Sequence, residues 1–187
     1  MNKFSLGLFL CLFSITLISE QIDQKNEYVT IHTSAGDIIL ELFVKQSPVT
    51  VQNFLSYVDQ DFYDETIFHR VIQNFMIQGG GFSKSMIPKK TGEPIINESG
   101  NRLHNVRGTI AMARTSSPDS ATAQFFINQR SNLRLDWMPG SPGYTVFGKV
   151  TSGMYVVDLI SKAETKAIRG YENVPVDPII IFDIARH

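Results

Sequence analysis

Cysteine is nearly missing from this chain. The 187 residues hold one, Cys11, inside an apolar run at the N-terminus. With that run removed the mature protein carries no thiol, which excludes internal disulfides and Cys-based metal sites. Histidine is scarce too. His32, His69, His104 and His187 show no ligand spacing, which argues against a histidine-built metal centre. Neither charge dominates: 17 Lys and Arg face 18 Asp and Glu, for a formal net charge of -1. A nucleic-acid binder usually carries a basic footprint, so that class is disfavoured. Repeats and low-complexity tracts are absent. So is regular strand-helix alternation, which disfavours a doubly wound parallel sheet. The hydrophobic fraction of 43% suits one domain with a real core.

The N-terminus has the layout of a secretory signal. Met1-Asn2-Lys3 is a short positive start, Phe4 to Ile18 is uncharged and rich in Leu, Phe and Ile, and a polar stretch follows. The apolar run is short of the roughly 20 residues of a membrane span. The expected organisation is a signal over residues 1–19, a flexible mature N-terminus over 20–27, and one domain over 28–187. Leu17 is an imperfect small-residue position for cleavage, so an uncleaved membrane anchor is the alternative. Leu10 stands where a lipoprotein motif has a small residue before its cysteine, so that signal is weak. The mature protein is expected to be periplasmic or secreted, with no stable membrane insertion.

The rest of the chain reads mainly as strands. YVTIHTS and IILELFV alternate around Ala35-Gly36-Asp37, a hairpin by period and turn chemistry. Ser47-Pro48 reads as an N-cap with Pro at the first helical position. Val51, Phe54, Leu55, Val58 and Phe62 follow as an amphipathic stripe. FHRVI and FMIQG look paired, TIAMA, AQFFINQ and YTVFGKV read as strands, MYVVDLISK as a second helix, and PIIIFDIAR as the last strand. About eight strands and two helices predict a closed antiparallel β-barrel capped by the helices, since closure removes exposed edges. The strand-facing Phe, Ile and Val suffice to fill a small barrel, which disfavours an internal small-molecule cavity.

Three ordered motifs stand out: FHRVIQNFMIQGGG (68–81), AMARTSSPDSATAQFFIN (111–128) and YTVFGKV (144–150). Together they resemble the signatures of the cyclophilin family of peptidyl-prolyl isomerases, with the likeness running from about Tyr28 to Arg186. Gln73 and Gly81 stand where the family commonly has Pro and Asp. The resemblance implies an eight-stranded barrel with two helices and X-Pro isomerase (rotamase) activity needing no metal or cofactor. The partners it implies are proline-containing peptides and unfolded exported proteins; the oligomeric state is open, with a monomer as the default expectation. A peptide-binding chaperone with little catalysis is the alternative use of the same groove.

The chemistry supports Arg70 as the catalyst. An amide resists rotation by about 18–20 kcal/mol because nitrogen shares its lone pair with the carbonyl. In the twisted state that lone pair returns and accepts a hydrogen bond. A guanidinium is always charged and donates from a rigid fork. By resemblance Gln78 holds it in place. A three-residue turn over Gln73 to Phe75, or an equivalent bulge, would pair Arg70 with Gln78. By resemblance the proline pocket is walled by Phe75, Met76, Phe126, Leu135 and Tyr144. The resemblance also implies that Ala113, Arg114 and Thr115 form the edge that pairs with the peptide, with Gln124 on the same rim. Phe125 is expected to face the core while Phe126 faces out. Arg114, alternatively, is a solvated loop arginine. The three glycines at 79–81 allow close approach, both for a barrel bulge and for a ligand. Arg134 replaces a Trp common in the family before Leu-Asp, so cyclosporin binding is expected to be weak. Trp137 either substitutes in part or packs its own loop.

Overall fold

The computed structural model describes residues 26–187. The expected signal, its cleavage site and Cys11 lie outside the described residues, as does most of the stretch expected to be flexible. Ten strands are described: β1 Glu27–Thr33, β2 Gly36–Leu42, β3 Thr66–Ile72, β4 Met76–Ser83, β5 Thr109–Met112, β6 Phe125–Asn128, β7 Val146–Ser152, β8 Thr165–Ile168, β9 Tyr171–Pro175 and β10 Ile180–Arg186. The helices are α1 Pro48–Val58 and α2 Met154–Ile160. Eight strands close into a barrel in the order β1-β10-β3-β4-β6-β5-β7-β2, and β8 and β9 form a separate hairpin. Among the described residues no helix is long and apolar enough to cross a membrane.

The fold follows from which residues each element hides. Ile31, Ile38, Leu40, Phe68, Phe125, Ile127 and Phe147 are fully shielded and fill the barrel. Phe54 of α1 packs into the same core, 5.2 Å from Phe147 and edge-on to Phe125 at 5.8 Å. Such edge contacts add about 0.5–1.5 kcal/mol to area burial. On α2, Val156, Val157 and Ile160 are buried and Met154 packs against the core.

Several expectations shift in detail. Glu27 already pairs with Leu42, so the first strand begins one residue before Tyr28. Helix α1 ends at Val58, and Phe62 lies in the turn beyond it. Ser47 stands at the N-cap but donates its hydroxyl to the Val146 carbonyl instead of the helix. The helix start is served by Glu98, whose carboxylate accepts from the Thr50 N–H at 2.8 Å and its hydroxyl at 2.7 Å. A carboxylate there also meets the positive end of the helix dipole. The β8–β9 hairpin is an addition to the expected elements. It covers the barrel wall through Val174, Ile67, Phe82 and Met86.

Candidate active site

The site is written into one cross-strand row. Arg70 pairs with Gln78, Gln78 with Phe126, Phe126 with Ala111, and Ala111 with Val146. Directly opposed residues share a face of a sheet. The neighbouring row, Val71, Ile77, Ile127 and Ile110, is buried in the barrel core. The first row therefore faces outward. Phe125 and Phe126 split as expected: Phe125 joins the barrel core and Phe126 an outer cluster with Met76, Ala111 and Val146.

A bulge makes this arrangement possible. The register steps from Phe68↔Gly79 to Arg70↔Gln78, leaving His69 as an extra residue. Both Phe68 and Val71 thereby point inward although three positions apart, and Arg70 is turned out between them. The turn is the expected three-residue one, with Ile72 opposite Met76 and Asn74 at φ 58°.

His69 is buried against Phe82, with ring centroids 4.5 Å apart, and its Nδ1 has no hydrogen-bond partner. Burial, with the nearby Arg70 cation, pushes its pKa down to about 4. In the unfolded chain the value returns to about 6.5. Between those values the unfolded chain holds a proton that the folded protein does not. Stability from this group is therefore full above pH 6.5 and is lost as pH falls toward 4. We expect about 2–3 kcal/mol less stability at pH 4.5 than at 7.5 from this residue. Urea denaturation checks it: His69→Phe should flatten the acid limb, and an unchanged limb would reject the assignment.

The outward row opens into a concave pocket of about 200 Å³. Phe75, Met76, Phe126, Leu135 and Tyr144 supply its apolar walls, and Arg70, Gln78, Ala113 and Arg114 its rim. Phe126 and Tyr144 meet edge-on at 5.6 Å. Thr115 and Gln124 line an adjoining depression of about 180 Å³, which shares Gln78, Ala113 and Arg114 with the first. Every residue expected at the site thus falls on these two connected hollows.

A polar relay holds the rim. Arg70 Nη1 donates to Gln78 Oε1 at 3.4 Å and approaches Met76 Sδ at 4.0 Å. Gln78 Nε2 donates to Gln124 Oε1 at 3.0 Å. The glycines make room for neighbouring side chains. A Cβ on Gly80, at φ +78°, would fall 2.8 Å from the Phe125 and Tyr63 rings, while one on Gly81 would strike the Gln124 side chain. Gly81 thus leaves room for the glutamine that receives Gln78.

Arg114 is not a freely solvated loop residue. Its guanidinium lies 4.5 Å from the Tyr144 ring centroid and donates to the carbonyls of Gly143, Thr115 and Pro142. It ties the Ala113 edge to the Tyr144 wall. On that edge, Ala113 N–H donates to Gln124 O at 2.9 Å and Thr115 N–H to Ser120 Oγ at 2.9 Å. Ser120 and Thr122 also line the adjoining depression. Neither was expected at the site, although Ser120 follows a Pro118-Asp119 turn pair suited to folding a hydroxyl back.

The remaining walls are anchored at a distance. Leu135 sits in a 3₁₀ turn, Leu133–Leu135, and its carbonyl accepts from Tyr144 N–H at 2.9 Å. Next to it, Asp136 accepts from Asn105 N–H at 2.7 Å and from His104 Nδ1 at 2.8 Å. Burial works to raise the Asp136 pKa, but hydrogen bonds from Asn105 and His104 outweigh it and hold it below the usual carboxylate range. Trp137 does not take the place of the replaced Trp. Its ring lies 5.3 Å from the Arg102 guanidinium and lines a separate depression with His104 and Pro139.

The comparisons agree with this geometry. Residues 28–185 match the family model described as cyclophilin type peptidyl-prolyl cis-trans isomerase/CLD. The chain is 49% identical over 182 residues to peptidyl-prolyl cis-trans isomerase A of Dickeya dadantii, covering 97% of this chain and 96% of that one. It is 51% identical over 156 residues to peptidyl-prolyl cis-trans isomerase B of Escherichia coli, covering 82% and 95%. Among solved structures, a cyclophilin type isomerase of Cryptosporidium parvum, crystallised in the presence of the dipeptide Ala-Pro, superposes with a TM-score of 0.71. Its identity is 32%, with 86% of this chain and 98% of that one covered. The chain belongs to the cyclophilin-type peptidyl-prolyl cis-trans isomerase family and is an isomerase of that class.

Proposed function

We propose that this cyclophilin isomerises X-Pro bonds in exported proteins and assists their folding, with Arg70 as the catalytic residue and Gln78 holding it. The observation that carries the reading is a guanidinium, linked to Gln78 at 3.4 Å, at the rim of a small apolar pocket. A pocket of about 200 Å³ is below the usual drug-site range and suits a single small ring. Phe75, Met76, Phe126, Leu135 and Tyr144 grip the proline ring. Gln78 and the Ala113–Thr115 edge meet the backbone before it, by main-chain recognition. Arg70 donates to the proline nitrogen as the amide twists. The nitrogen accepts that bond only once conjugation is broken, so the interaction favours the transition state over either ground state. No nucleophile and no proton transfer is needed.

The N-terminal run supports the export part of the reading, with a periplasmic or secreted mature protein. In that compartment slow prolines, exchanging over tens to hundreds of seconds, delay folding. Cell fractionation and N-terminal sequencing of the mature protein test it, alongside an isomerase assay on the purified protein. A mature N-terminus near residue 20 in a soluble exported fraction, with accelerated isomerisation, is the expected result. Recovery in the cytoplasm with Met1 retained would contradict export.

A further inference from the structure

Beyond Phe75 lies a second hollow that the proline site does not use. This open cleft of about 640 Å³ is lined by Arg130, Arg134, Gln73, Asn74 and Leu133, and it shares the Phe75 wall with the proline pocket. Both arginines are exposed. No carboxylate lines the cleft. Among the described residues the arginines found in ion pairs are Arg107 and Arg186, not these two.

The loop that presents them is fixed. The Phe75 carbonyl accepts from Gln129 N–H at 3.0 Å, Arg130 N–H at 3.4 Å and Asn132 Nδ2 at 2.9 Å. Asn132 also donates to Asn128 Oδ1 at 2.8 Å. Arg134 directly precedes Leu135, which walls the proline pocket. Both guanidinium stems therefore rise from backbone tied to the walls of the proline pocket.

The geometry points to a specificity subsite: Arg130 and Arg134 bind an acidic side chain of the substrate one to three residues after its proline. This deepens the isomerase reading and rests on it. The side is set by the layout. Thr115 and Gln124, on the edge proposed to meet the backbone before the proline, line the hollow on the far side of the pocket from the arginine cleft, and Gln78 lies between the two. The chain after the proline leaves across Phe75 toward the arginines. Two like charges with no compensating acid make a positive field that a carboxylate relieves, and arginine suits bidentate carboxylate recognition.

The test is exchange NMR on hexapeptides carrying Glu or Gln two residues after proline, and a mirrored pair with the change before it. At low ionic strength the wild type should isomerise the Glu peptide roughly three- to fivefold more efficiently than its Gln counterpart, with the preference shrinking as salt rises. The mirrored pair should show no preference. In Arg130→Gln/Arg134→Gln the ratio should fall to about one. Equal rates on Glu and Gln peptides, a preference on the mirrored pair only, or a ratio that survives the double substitution overturns the proposal alone. Failure of the wild type to accelerate any of the peptides overturns the isomerase reading and the proposal with it.

Discussion

Arg70→Ala is expected to lower kcat/KM for an X-Pro peptide by about 10²–10³-fold, the usual loss when one preorganised donor to a transition state is removed. The barrel should survive. Arg70 is half-buried on the outward row, and its side-chain partners are Gln78 and Met76 at the pocket rim rather than core residues. The loss should fall on kcat, because the apolar walls proposed to grip the proline ring stay in place. A protease-coupled or exchange assay on both proteins, with circular dichroism to confirm the fold, reads it. Equal acceleration by the two proteins would remove Arg70 from the mechanism. If neither accelerates isomerisation while unfolded chains still bind, the groove serves as a chaperone surface instead.

The second large effect lies two strands away in the barrel and acts on stability. Phe125 is fully buried and meets Phe54, Tyr63 and Phe68 edge-on at 5.8, 5.6 and 6.2 Å. Phe125→Ala leaves a cavity among rings held by both barrel and helix, at a cost of about 3–5 kcal/mol. That is a large part of a total of roughly 5–15 kcal/mol, and the melting temperature should drop by about 10 °C or more. Phe126→Leu, the adjacent position on the opposite face, keeps an apolar side chain of somewhat smaller volume. It should unfold within about 1.5 kcal/mol of the parent and lose affinity for proline peptides. Thermal melts and isomerase assays on the pair separate the roles. If both substitutions act alike on stability and affinity, the inward-outward assignment is wrong.

The sequence was most legible where period and turn chemistry agreed. The β1–β2 hairpin announces itself by alternation around Ala35-Gly36-Asp37. The Arg70–Gln78 pairing follows from counting residues across a three-residue turn. The aromatic pair at 125–126 splits between faces because side chains alternate. What stayed hidden was non-local or weakly patterned. The β8–β9 hairpin buries few residues, chiefly Val174 with partial help from Ile168, so TKAI and YENVP carry little apolar signal. Its turn places Arg169 and Gly170 at positive φ, a conformation usually flagged by Asn-Gly. Glu98 caps α1 from 48 residues away, and no local pattern announces such a partner. The second hollow was invisible for the same reason. Arg130 precedes a 3₁₀ turn and Arg134 lies within it, and only folding brings them beside Phe75.

In the proposed mechanism a fixed guanidinium fork lowers the rotation barrier by meeting the nitrogen of a twisting amide. Arg70→Lys tests it most directly, since lysine keeps the charge and removes the planar fork. Exchange NMR with a bound Ala-Pro peptide measures the on-enzyme interconversion rate and Kd separately. The interconversion rate should fall by about tenfold or more, with Kd close to that of the parent. A retained rate, or a loss confined to Kd, would contradict it.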